Sequence, residues 1–144
     1  MSELAFLSAT ELAAKVAAKE VSAVELLQMY LARVDTHNPG LNAICVDIRE
    51  QAMVDAEAAD AAQAKGQSLG VFHGVPMTVK ESYNVAGTPT TWGNPDWQDN
   101  VTQEDAEPVK KLKDAGVNVF GKTNVPLSLA DFQSYNEIYG TTNN

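Results

Sequence analysis

A chain of 144 residues, 44% hydrophobic and 20% charged, has the composition of a globular domain and is long enough to bury a core. Its formal net charge of -9, with only ten Lys and Arg residues, argues against direct binding of nucleic acid. No apolar run approaches the ~20 residues of a membrane-spanning helix, and residues 1–7 do not resemble a secretory signal. We therefore expect a cytoplasmic protein that acts on a small molecule and does not associate with membranes.

Three helices are predicted in the first half of the chain, because three cap residues are each followed by a glutamate three positions later. The pairs are Ser8 with Glu11, Ser22 with Glu25, and Asp47 with Glu50. The second helix is predicted to end at Asn38-Pro39-Gly40, where proline and glycine disfavour its continuation. The third, about 48–65, has a narrow alanine face, and Gly66 is its predicted stop.

The second half of the chain has an α/β pattern. Strands are predicted over 75–80 and 117–120, separated by a turn-rich segment (85–97) and a helix over about 104–115. A strand, helix and strand in this order form a crossover, which predicts a parallel pair of strands. Asn124 is predicted to cap one more short helix that extends to about Phe132, and 135–144 is predicted to be a polar loop.

The cysteine and the two histidines show no pattern of a reactive or metal-binding site. Cys45 lies in the apolar run 43–46, which predicts a strand, and a buried apolar role is favoured over that of a nucleophile. His37 and His73 are far apart, with no cysteine or clustered carboxylate nearby, and are interpreted as surface or turn residues. No metal and no cofactor are expected.

Lys80 and Lys122 lie near the carboxyl ends of the two predicted strands, where open α/β sheets bind ligands. An ammonium group buried in an apolar strand is costly unless it is paired or loses its proton. Because burial lowers the pKa of a lysine, one interpretation of Lys80 is a neutral general base. The alternatives are a side chain that extends to solvent or an ion pair with Glu81. Lys122 is interpreted as structural or as lying at the sheet edge, rather than as a second base.

Three ordered segments resemble successive motifs of the amidase signature family. They are 74–81 (Gly-Val-Pro-Met-Thr-Val-Lys-Glu), 121–126 (Gly-Lys-Thr-Asn-Val-Pro) and 139–144 (Tyr-Gly-Thr-Thr-Asn-Asn). Segments 20–26 and 38–43 are similar to the family's helical leader, so that the resemblance covers nearly the whole chain. It implies an α/β/α sandwich with a mixed central sheet, preceded by an N-terminal helical segment. The helical leader would occupy about 8–66 and the start of the α/β core about 67–144, both parts of a single domain.

The resemblance also implies hydrolysis of a small carboxamide by a nucleophilic serine, a bridging serine in a cis peptide and a lysine, which falls at Lys80. The motifs of both serines would follow Asn144, and the serines of this chain match neither motif. We therefore expect the chain to be the N-terminal part of a longer amidase and to be inactive alone. Association through the incomplete sheet, or as a homodimer, is also expected.

Two further residues are candidates for substrate binding. Leu129 matches a position whose backbone carbonyl contacts the substrate region in fatty acid amide hydrolase, a family member, and Phe132 falls near the same pocket wall. The alternative is that both residues form the apolar face of a short helix. Two other functions remain open from the sequence: the A subunit of a glutamyl-tRNA amidotransferase, and a non-catalytic module with this fold.

Overall fold

The computed structural model describes residues 3–143, which form a mixed α/β fold, as predicted. The α-helices are α1 (Ala9–Ala17), α2 (Ala23–Leu41), α3 (Arg49–Ala64) and α4 (Glu107–Asp114). The strands are β1 (Ile44–Asp47), β2 (Pro76–Lys80), β3 (Asn118–Thr123), β4 (Tyr135–Asn136) and β5 (Gly140–Thr141). Short 3₁₀ turns lie at Leu4–Phe6, Pro95–Trp97 and Leu127–Leu129. None of the helices in residues 3–143 is long and apolar enough to cross a membrane.

The first three strands form a mixed sheet in the order β1-β3-β2. The amide of Asn118 donates to the carbonyl of Val75 at 2.9 Å, and the amide of Glu81 donates to the carbonyl of Thr123 at 2.9 Å. Residue numbers increase together along the two strands, so β2 and β3 are parallel and the predicted crossover is confirmed. β1 pairs with β3 in the antiparallel direction. β3 is therefore the central strand, and the prediction that Lys122 could lie at a sheet edge is wrong.

Two of the three predicted helix caps are present. The Ser8 hydroxyl and the Glu11 carboxylate form a reciprocal capping box at the start of α1. At α2, the amide of Glu25 donates to the Ser22 hydroxyl at 3.0 Å. The predicted position of the third N-cap is corrected by one residue: the N-cap of α3 is Ile48, and Asp47 is the last residue of β1, where it pairs with Gly121.

Of the two predicted helix ends, that of α3 is confirmed and that of α2 is wrong. Gly66 follows α3 with a left-handed φ of 73°, as predicted. The predicted stop of α2 at residues 38–40 is wrong, because the helix continues through Pro39 to Leu41. The Asn42 amide closes the last turn on the carbonyl of Asn38 at 2.7 Å, and the chain then leaves the helix with Asn42 at a φ of 54°.

The chain divides into two compact units. The first comprises the described chain up to Val34 together with Ile48–Met77 and Lys111–Phe120. Its apolar core is formed by side chains of α1, the connection from α1 to α2, α2 and the residue before β2, namely Leu12, Val16, Val21, Leu26 and Val75. On α3, Ala52, Ala56 and Ala59 are buried, which confirms the small-residue face.

The second unit comprises Asp35–Asp47, Thr78–Lys110 and the described chain from Gly121 onward. It contains β1, the carboxyl ends of β2 and β3, and the hairpin formed by β4 and β5. The hairpin corrects the predicted polar loop over 135–144. The predicted helix after Asn124 is also absent, because Asn124 binds the hairpin: its side-chain amide donates to the Gly140 carbonyl at 3.1 Å. Only a 3₁₀ turn forms at Leu127–Leu129. Asn144, the last residue of the third motif, lies outside the described residues.

Candidate active site

Lys80 is the last residue of β2, and its side chain is exposed. The strand ends there in a turn, in which the amide of Tyr83 donates to the Lys80 carbonyl at 2.9 Å. Among residues 3–143 the ammonium group has no hydrogen-bond or ion-pair partner, so the expected burial and the alternative ion pair with Glu81 are both wrong for this chain. The amine of Lys80 is thus available at the carboxyl end of a parallel strand.

The next residue, Glu81, has a fully buried carboxylate. Oε1 accepts hydrogen bonds from the Thr91 amide at 2.7 Å, the Thr91 hydroxyl at 2.9 Å and the Tyr139 hydroxyl at 3.1 Å. Oε2 accepts from the Trp92 amide at 3.0 Å. Four donors compensate the carboxylate for the loss of water. Glu81 therefore joins the end of β2 to two other segments of the second unit.

Lys122, in the central strand, is also fully buried. Its ammonium donates to the Thr90 hydroxyl at 2.8 Å, to the Thr88 hydroxyl at 3.3 Å and to the carbonyl of Pro89. Burial lowers the pKa of Lys122 to about 8, although the negative charge of Glu81 favours the ammonium form. Because all three N–H groups are used internally, the structure supports the structural interpretation of Lys122 over that of a second base.

Two other titratable groups near Glu81 and Lys122, Cys45 and Tyr139, have raised pKa values, which favour their neutral forms. The Cys45 thiol is half-buried and lies 3.6 Å from the carbonyl oxygen of Lys122. Burial, reinforced by the charge of Glu81, raises its pKa to about 12. A thiol with so high a pKa is a poor nucleophile, which favours the apolar interpretation, although Cys45 is half-buried and not fully buried as predicted. Burial also raises the pKa of Tyr139, which keeps its hydroxyl protonated as a donor to Glu81.

The predicted substrate-binding residues lie in the second unit with Lys80, but in different environments. Leu129 is partly buried in the Leu127–Leu129 turn, where Ser128 and Leu129 have φ angles of 52° and 59°. The amide of Ser128 donates to the carbonyl of Trp92 at 2.7 Å. The alternative of an apolar helix face is wrong, because no regular helix forms here. Phe132 is fully exposed.

Two hydrogen bonds connect the neighbours of Lys80 and Leu129, through Glu81, Trp92 and Ser128. Lys80 precedes Glu81, whose carboxylate binds the amide of Trp92, and the carbonyl of Trp92 binds the residue before Leu129. The sequence does not predict this connection. The sequence shows only that an acidic residue, Glu81, directly follows the strand-end lysine. The importance of Glu81 becomes clear from its burial in the structure.

His73 lies in the first unit and has a structural role. Its Nδ1 accepts from the Leu69 amide at 2.9 Å, and its Nε2 lies 3.1 Å from the carbonyl oxygen of Ala59. The imidazole is buried between these groups and stabilises the connection between α3 and β2. Within residues 3–143, no group of three or more His, Cys, Asp or Glu side chains is placed to bind a metal ion.

Comparisons with known proteins agree on one family. A family model described as Amidase matches residues 25–144. The acylamidase of Rhodococcus erythropolis is 42% identical over 141 residues, which cover 98% of this chain and 30% of that protein. The A subunit of the glutamyl-tRNA(Gln) amidotransferase of Acidothermus cellulolyticus is 36% identical over 144 residues, which cover 100% of this chain and 28% of that protein.

The fold agrees with the same family. A solved structure of fatty acid amide hydrolase matches with a TM-score of 0.90 and 29% sequence identity, over 96% of this chain and 24% of that chain. The chain thus spans less than a third of the length of each of these three proteins.

Proposed function

The chain belongs to the amidase signature family, and on this premise we propose that it contributes the catalytic lysine, Lys80, to the hydrolysis of a carbon-nitrogen amide bond. The substrate class is a small carboxamide, which is converted to a carboxylate and ammonia or an amine. One observation carries the proposal. The side chain at the family's lysine position is exposed at the carboxyl end of β2, and its amine has no partner within residues 3–143.

The proposed chemistry is a relay of three groups. Lys80 accepts a proton from a bridging serine, which accepts one from the nucleophilic serine as that attacks the amide carbon. The relay then runs backwards to protonate the leaving amine, and water hydrolyses the resulting acyl-enzyme. Both serines are proposed to come from sequence outside this chain, so the 144 residues alone do not hydrolyse amides.

Leu129 and Phe132 are proposed to contact the substrate. The position of Leu129 is supported by its connection to the end of β2 through Trp92 and Glu81. Since Phe132 is fully exposed in this chain, it is free to contact a substrate or another part of the site. The single-domain organisation, with a helical leader at about 8–66 and the core from about 67, remains a proposal as well.

A second candidate function is that of the glutaminase component of an amidotransferase. The observation in its favour is that the amidotransferase protein of Acidothermus cellulolyticus matches the whole chain. The free amidase is preferred because the acylamidase match has the higher identity, 42% against 36%. The two functions differ in their dependence on other proteins.

The test is an assay of the protein encoded by the complete gene. The purified protein is incubated with acetamide, benzamide or glutamine, and ammonia release is measured. We expect turnover of a simple carboxamide without any other protein, and none by the isolated 144-residue chain. Turnover of glutamine only, and only with co-purifying partners, would support the amidotransferase. The absence of turnover with every amide, in the presence and absence of partners, would contradict both functions.

A further inference from the structure

The two fully buried charges of the second unit, those of Glu81 and Lys122, bind the same short segment, residues 88–92. Lys122 binds its first part, at Thr88, Pro89 and Thr90. Glu81 binds its last part, at Thr91 and Trp92. Two buried side chains of opposite charge thus form hydrogen bonds with five consecutive residues.

Both charged groups have complete hydrogen-bond sets. The three N–H donors of an ammonium group match the three acceptors around Lys122, and the carboxylate of Glu81 receives four donors. Burying two charges is unfavourable unless all their hydrogen bonds are made, and removing one partner leaves the other charge uncompensated. Residues 88–92 are therefore restricted to the single arrangement that satisfies both groups.

The backbone conformation of Trp92 supports this restriction. Trp92 has a φ of 55°, and its amide and carbonyl bind Glu81 and Ser128. Ser128 and Leu129 are also left-handed, with φ angles of 52° and 59°. Non-glycine residues adopt this conformation at a cost, and they keep it where surrounding contacts determine it. Strained residues thus connect the end of β2 to the turn that contains Leu129.

We propose that Glu81 and Lys122 are positioning residues, which fix residues 88–92 and thereby set the position of the chain at the end of β2, where Lys80 lies, and of the Leu127–Leu129 turn. This inference rests on the proposed function. Neither side chain contacts the substrate, because both are fully buried and all their polar atoms are bonded to protein. They act on the reaction through the backbone that carries Lys80 and the turn that carries Leu129, since a displacement of a catalytic group by about 1 Å is enough to lower turnover about 100-fold.

The first test is Glu81→Gln in the protein encoded by the complete gene. Glutamine keeps the size of glutamate but has only one acceptor oxygen, so either the Thr91 or the Trp92 amide loses its acceptor. We expect kcat to fall by about 10- to 100-fold with a much smaller change in KM. Amide hydrogen exchange in a peptide spanning residues 88–93 should become at least about tenfold faster. The matched control is Glu107→Gln, an exposed carboxylate in α4, which should change neither quantity.

Lys122→Met provides a second, independent variant from the other end of the segment. It removes the ammonium while retaining an unbranched side chain, and it leaves the carbonyl of Pro89 without this donor. The same fall in kcat is expected. Because both variants act through residues 88–92, the double variant should lose less activity than the product of the two separate losses.

The outcomes distinguish a failure of the positioning role from a failure of the proposed amidase function. If the unmodified protein hydrolyses no amide, the proposed function fails, and hydrogen exchange still tests whether Glu81 restrains residues 88–93. If the unmodified protein is active and Glu81→Gln keeps its kcat, the positioning role is wrong. Unchanged exchange in both variants would show that the two charges do not restrain the segment at all.

Discussion

At the scale of single residues, two neighbouring charged side chains differ completely in solvent exposure. Lys80 and Glu81 are adjacent, yet the first is exposed and the second is fully buried. β2 ends at Lys80, and in the turn that follows the Glu81 carboxylate is bound by Thr91, Trp92 and Tyr139. Of two adjacent charged residues, Glu81 therefore stabilises the fold, whereas Lys80 is the candidate catalytic residue.

Cys45 gives a prediction that depends on pH. With a pKa raised to about 12, only about one thiol in 10⁴ is ionised at pH 8, and the thiolate is the reactive form. In the 144-residue chain, where Cys45 is the single cysteine, the rate of reaction with a disulfide reagent should rise about tenfold per pH unit from pH 7 to 10.

Unfolded protein is the control for this titration. In urea the same thiol has an ordinary pKa of about 8.5, so its rate should level off above about pH 9. A folded-state rate that also levels off near pH 9 would show that the environment of Cys45 does not suppress ionisation. A chain with Cys45→Ser should not react at any pH.

At the scale of secondary-structure elements, the connection between α3 and β2 is set by close backbone contact. The amides of Phe72 and Gly74 donate to the carbonyls of Ala115 and Gly116, both at 2.8 Å. A Cβ atom added at Gly70 would lie 2.4 Å from the backbone carbonyl carbon and oxygen of Ala115. Gly70 also has a φ of 148°, which L side chains rarely adopt.

We predict that Gly70→Ala destabilises the protein by about 3 kcal/mol or more, because it combines backbone strain with a clash against backbone that cannot move aside. Gly66→Ala is the matched control, since Gly66 has a φ of 73° but no atom within 4 Å of its added Cβ. Strain alone should cost about 1 kcal/mol there. Urea denaturation measures both values, and equal losses would mean that the contact with Ala115 contributes nothing.

The elements that local sequence predicts well are those with local causes. The caps at Ser8 and Ser22 and the stop at Gly66 depend on neighbouring residues alone, and all three are present. Asp47 has the same spacing to a glutamate, but pairing with Gly121 in the sheet decides its position instead. The hairpin of β4 and β5 likewise depends on hydrogen bonds to Asn124, which precedes it by more than ten residues, so a local pattern predicts a loop in its place and a helix after Asn124.

At the scale of the whole molecule, the ordered motifs predict the family and the mixed α/β fold, whereas they do not predict how the motifs are connected. Glu81 joins the first motif to Thr91 and to Tyr139 of the last, and Lys122 joins the second motif to Thr90. These contacts are long-range and involve buried charges, whose partners cannot be derived from residue spacing. The three motifs are thus linked by hydrogen bonds into one network, which includes Glu81, the residue that follows Lys80.

The most direct test of the central claim is Lys80→Ala in the protein encoded by the complete gene. If Lys80 is the base of the relay, kcat/KM for a simple carboxamide should fall by about 10²- to 10⁴-fold, with unchanged circular dichroism because the side chain is exposed. Lys110→Ala, an exposed lysine of α4, should retain full activity. A folded Lys80→Ala protein that hydrolyses the amide at the unmodified rate would contradict the assignment of Lys80 as the catalytic lysine.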